Sequence, residues 1–113
     1  MTRESFWGWG DADRFPETSE RRALADRLER ELGFPSLSVH EPSTIADCRL
    51  PEPAISPPEK LAAWCTTDRK ARIRHTYGKS YPDLLRGFRG DFGPAPDIVA
   101  RPPDEDAVDD AVV

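Results

Sequence analysis

Arg74, His75, Tyr77 and Lys79 form the densest cluster of chemically capable side chains in the sequence. Guanidinium and ammonium groups both suit phosphate, so these four are candidate contacts for a phosphorylated substrate. The structural alternative makes Arg74 and Lys79 ordinary surface charges and packs Tyr77 at a helix end. His75 has no residue nearby in sequence to orient it, so it does not by itself indicate general acid–base catalysis. Cys48 and Cys65 lack a neighbouring histidine that would activate a thiolate, which leaves them as free thiols, inert or packed. No CxxC pair occurs, and His40 and His75 stand far apart, so there is no zinc pattern. Asp106 and Asp110 share a helix face, but two carboxylates without a loop to complete the coordination do not make a calcium or magnesium site. The residues therefore nominate no catalytic group and no metal ligand.

The charge around that cluster is uneven. Arg69, Lys70, Arg72, Arg74, Lys79, Arg86 and Arg89 face a single acid, Asp83, whereas Asp104 to Asp110 carries five acids and no base; the net charge is −5. Such asymmetry fits either a phosphate-binding surface or internal pairing of basic and acidic faces. The overall negative charge and the absence of interleaved stacking aromatics argue against nucleic acid as a partner of segment 69–89. No apolar run reaches signal-peptide or membrane-span length, and a reducing cytoplasmic location is the expectation.

The elements that would position these residues are short. Only 37% of the 113 residues are hydrophobic, and twelve prolines punctuate the chain. Leu24, Leu28 and Leu32, broadened by Ala25, predict an amphipathic helix over 19–32 that Gly33 caps and Pro35 stops. Residues 34–56 read as a connector anchored by Val39, Ile45, Leu50 and Ile55. Ser56-Pro57-Pro58-Glu59 predicts a capped helix start with Leu61, Ala62 and Trp64 inside. Thr67-Asp68 opens a helix over 69–77, and Ser80-Tyr81-Pro82-Asp83 opens another, with Leu84, Leu85 and Phe88 inward and Gly87 and Gly90 closing it. Phe6, Trp7, Trp9 and Phe15 suggest an extended peptide anchored on a surface that the sequence itself does not reveal. Ile98-Val99-Ala100 is the one convincing strand, and it has no evident partner. Residues 103–113 read as a helix with Val108, Ala111 and Val112 inside. A strand and helix normally lead to a further strand, so the expectation is a unit that continues beyond residue 113.

Residues 72–85 (RIRHTYGKSYPDLL), then Arg86-Gly87-Phe88-Arg89-Gly90, then Pro96-Asp97-Ile98-Val99 with Pro102, resemble the N-terminal region of FAD-linked oxidases of the vanillyl-alcohol-oxidase type. Within them the likeness is greatest to the alkyl-dihydroxyacetone-phosphate synthases and their bacterial relatives, whose Trp-Gly-Trp-Gly start is similar to residues 7–10. The resemblance implies a mostly α fold: an irregular helical N-terminal segment, residues 1–94, followed by the first strand and helix of an incomplete α+β FAD-binding domain, residues 95–113. It places the first helix of that domain near Asp104, where the family often has a small hydroxyl residue. FAD would serve the complete protein, with the FAD and cap domains as partners. The family's glycine-rich pyrophosphate loop has no counterpart, because no two of the seven glycines are adjacent. Nor do its catalytic His and Tyr positions. The expectation is a fragment of a flavoprotein oxidoreductase that binds no FAD and catalyses nothing alone.

Overall fold

The computed structural model describes residues 3–112; Val113, the last residue of the expected terminal helix, lies outside them. Helix α1 spans Thr18–Leu32. It starts with the capping box of Glu17 and Glu20 and ends at Gly33, whose φ of 68° supplies the left-handed turn that the sequence predicts. A 3-10 turn follows at Glu59–Trp64 and leads directly into strand β1, Cys65–Thr66. Then come α2 (Arg69–Arg74), α3 (Tyr81–Phe88), strand β2 (Val99–Ala100) and α4 (Glu105–Val112). The fold is mostly helical, as expected, and it carries one small two-stranded antiparallel sheet.

Four expectations need correction. Val99 and Ala100 are not orphaned: they pair antiparallel with Thr66 and Cys65 of the same chain, and Arg101 N–H donates to Trp64 O at 2.8 Å. A two-residue partner is too short to show a periodicity, which is why β1 escaped notice. Ile98 lies outside the strand, and among the described residues β2 has no neighbour on its second edge. Second, the start at Ser56 shifts to Pro58, and the turn after it is 3-10 without a side-chain cap. Third, α2 ends at Arg74, one turn early, and Gly87 lies inside α3 instead of closing it. Fourth, α4 buries Ala107, while Val108, Ala111 and Val112 are exposed; Ile55 and Leu85 are exposed as well.

The core is small. Cys48, Ile73 and Phe92 are buried together, with Phe6, Ile45, Leu50 and Tyr77 packed against them. The connector lies along the end of α3: Ser43 N–H donates to Phe88 O at 2.9 Å, and Arg49 N–H to Gly90 O at 2.7 Å. Gly90 makes that approach possible. Its φ is +74°, and a Cβ there would fall 2.6 Å from Ser43 Oγ and 3.3 Å from Cys48 Cα. Gly90→Ala should cost about 2–3 kcal/mol, adding backbone strain to a steric clash; chemical denaturation would show it, and a change under about 0.5 kcal/mol would refute the packing.

The molecule is elongated, 60 × 30 × 22 Å, with a radius of gyration of 18.7 Å. A compact chain of this length has a radius near 13 Å. The accessible surface is 8337 Å², against about 6,200 Å² for a compact monomer of this size. Much of the α1 stripe is uncovered, with Leu24 47% and Leu32 61% exposed.

Candidate functional site

The aromatic peptide at the start of the chain forms a hook. Ser5 N–H donates to Gly10 O at 2.9 Å, and Ser5 Oγ accepts from Gly8 N–H at 2.9 Å. The hook docks on this chain, as expected of an anchored peptide, and the structure supplies the surface that the sequence does not reveal. Trp7 stacks on Phe15 at 4.8 Å and meets Phe88 edge-on at 5.1 Å. Phe6 lies 6.1 Å from Phe92. Trp7 fits because Gly87 is bare: a Cβ there would fall 2.9 Å from Trp7 Cβ.

Under the hook lies a pocket of about 100 Å³ lined by Ser5, Trp7, Arg74, Tyr77, Lys79 and Asp83 among others. Three of the four nominated residues therefore meet there, and His75 does not. Each has a structural engagement. Arg74 forms an ion pair with Glu4. Tyr77 packs 5.7 Å from the Phe92 ring, and the Arg86 guanidinium lies 5.6 Å from its own ring centre. Lys79 Nζ donates to Gly8 O at 2.6 Å and sits 5.4 Å from the Trp9 ring, whose Nε1–H donates back to Lys79 O at 3.1 Å. His75 is exposed, and its Nδ1–H donates to Ala71 O at 2.8 Å.

The rest of the basic segment divides similarly. Arg69 donates to the carbonyls of Ile45, Ala46 and Cys48. Arg72 is 3% exposed and donates to Pro96 O at 2.8 Å and Pro51 O at 2.6 Å. Arg86 pairs with Asp83 at 2.9 Å. Lys70 and Arg89 have no ion pair among the described residues. Sequence reasoning missed Asp83 as a pocket residue and Arg72 as a buried tie, since neither role leaves a local pattern. Among the described residues no three His, Cys, Asp or Glu side chains are placed to hold a metal ion, and no helix is long and apolar enough to cross a membrane.

Burial raises the Cys48 thiol above its ordinary value, and burial likewise raises Tyr77. A raised acid binds its proton more tightly in the folded state, so this contribution is whole below the unfolded values, 9.0 for Cys48 and 10.0 for Tyr77, and is lost as pH rises through the folded ones. The melting temperature should therefore fall above about pH 9. Cys65, half-buried, should react with a thiol reagent at neutral pH well before buried Cys48. Equal labelling rates would contradict the core.

The pocket does not fit a flavin. About 100 Å³ falls below the roughly 300 Å³ at which small-molecule sites begin. A second, mainly apolar cleft of about 390 Å³, lined by Phe6, Trp7, Phe15, Pro42, Ile45 and Lys70 among others, has the volume but no glycine loop to approach a pyrophosphate. The positive-φ glycines Gly10, Gly33 and Gly90 are isolated from one another.

The order of elements, a hooked aromatic start, irregular helices, then a strand and a helix, has the fold of a segment of an FAD-linked oxidase. The particular likeness is to alkyldihydroxyacetonephosphate synthase. Two structures of it, in different space groups, each match 96% of this chain with a TM-score of 0.70, at 26% and 25% sequence identity. This chain covers 25% and 24% of those chains, so it spans about a quarter of their length. No protein-family model matches the sequence, and no curated protein does. The relationship suggested by residues 72–102 and the Trp-Gly-Trp-Gly start thus holds across nearly the whole chain.

Proposed function

We propose that this chain is the helical lead segment, with the first strand and helix of the flavin domain, of an FAD-linked oxidoreductase resembling alkylglycerone-phosphate synthase. By itself it holds no flavin and has no catalytic activity. The observation that carries this reading is the match of 96% of the chain to a quarter of the synthase. Its surface supports the same view, because about 2,000 Å² more is exposed than a self-contained monomer would leave, enough to dock on a larger body. The other domains of that protein are the partner, and its chemistry is flavin-mediated oxidation or exchange of an acyl for an alkyl group on a glycerone phosphate. In this reading Arg74, Tyr77 and Lys79 serve first to hold the hook in place. The segment is cytoplasmic.

Purified residues 1–113, incubated with FAD and desalted, should show no flavin absorbance. One flavin per chain would overturn the proposal.

A further inference from the structure

The apolar cleft that lacks a glycine loop for flavin has the walls of a different kind of site. Three segments far apart in sequence build it: Phe6, Trp7 and Phe15 from the hook and the turn after it, Pro42 and Ile45 from the connector, and Lys70 from α2. The five apolar residues are each half-buried, so each keeps surface that the fold does not cover. The volume is about 390 Å³, within the roughly 300–1,000 Å³ of small-molecule sites. Lys70 is set at the rim by its neighbour in sequence. Arg69 donates to the carbonyls of Ile45 at 2.8 Å and Ala46 at 3.3 Å, which pins the start of α2 against the connector. Lys70 itself is exposed and has no ion pair among the described residues. The other charges of the wall are engaged, Glu4 with Arg74 and Arg3 with Asp13 at 3.7 Å. The cleft is thus apolar and aromatic within, with one unneutralised positive charge at its edge.

We infer that this cleft binds a small aromatic carboxylate, its ring against Phe6, Trp7 and Phe15 and its carboxylate on the Lys70 ammonium. Aromatic walls favour a planar ring over an aliphatic body, because ring pairs gain from offset and edge-on contacts beyond the area they bury. A rigid ring also loses little conformational freedom on entering. The charge selects an anion: a cationic ring would meet Lys70 as a like charge, and a neutral one would leave the ammonium unpaired. A single ammonium is a point charge without the planar fork of arginine, which suits one carboxylate. The site is independent of the flavoenzyme reading.

Amide-shift titration of the full 113-residue chain with naphthoate tests it. The amides of Phe6, Ala12, Ile45 and Lys70 should move together and saturate in the millimolar range or below, while those of α4 stay still. Naphthalenemethanol, the same ring without the charge, should bind about tenfold more weakly, and naphthylmethylamine more weakly again. Decanoate, the same charge on a flexible chain, should also bind more weakly than naphthoate. Lys70→Glu, an exposed position where an acid suits the first turn of the helix, should weaken naphthoate about tenfold or more without changing the circular dichroism. Lys70→Arg should retain binding. No saturable shift, shifts spread over the whole surface, or equal binding by Lys70→Glu overturns the inference. Decanoate tighter than naphthoate, or naphthalenemethanol as tight, overturns it as well.

Discussion

Phe92→Ala is expected to bring the chain to the edge of unfolding. The ring is 2% exposed and joins everything that the small core contains, lying 6.1 Å from Phe6 and 5.7 Å from Tyr77 beside buried Cys48 and Ile73. Truncating a buried phenylalanine costs about 3–5 kcal/mol. A domain of this length holds on the order of 5–15 kcal/mol in total, and one that leaves so much surface in water belongs near the low end. Urea unfolding followed by circular dichroism would measure the loss. Phe92→Leu, which keeps most of the volume, should recover part of the stability and so separates a packing effect from a chain that fails to fold. If Phe92→Ala shifted stability by less than about 1 kcal/mol, the hook and the connector would have to be held by something other than this core.

The second large effect belongs to Arg72. Its guanidinium is buried and has no carboxylate partner among the described residues; its donors go instead to Pro51 O and Pro96 O. A buried cation is tolerable only when its donors are satisfied, and here they tie the connector to the segment that leads into β2. Arg72→Met keeps the stem but leaves those two carbonyls without their donors. The expected cost is about 2–4 kcal/mol. Arg72→Lys should not rescue it, because one ammonium lacks the planar fork that spans both carbonyls. Hydrogen exchange adds a local readout: the Arg101 amide, bonded to Trp64 O across the sheet, should lose more protection than amides in the middle of α1. Uniform loss across both regions would mean that Arg72 is not a tie between the two segments.

Gly90 and Arg72 show why some positions resist reading from sequence. Gly90 looked like an ordinary helix terminator. Its real constraint is the approach of Ser43 and Cys48, more than forty residues earlier in the chain. Arg72 looked like one of seven bases on a surface, and only the path of Pro51 and Pro96 shows that it is inside. The same holds for the four residues nominated at the outset. Their types suited phosphate, but three of them border the hook, and their engagements with Glu4, Phe92 and Gly8 come from contacts with distant segments.

What sequence alone determined was local. Helix α1, its glycine cap, the opening of α3 at Ser80 and the strand at Val99 follow from spacing, turn chemistry and β-branched residues, all of which act within a few residues. The ordered series of motifs also carried the resemblance to the synthase. Tertiary structure alone decided the partner of β2, the docking of Trp7 in the space that Gly87 leaves, and the exposure of Val108 in place of Ala107. Those outcomes depend on which distant surfaces meet, and a contact across tens of residues imposes no period on the chain.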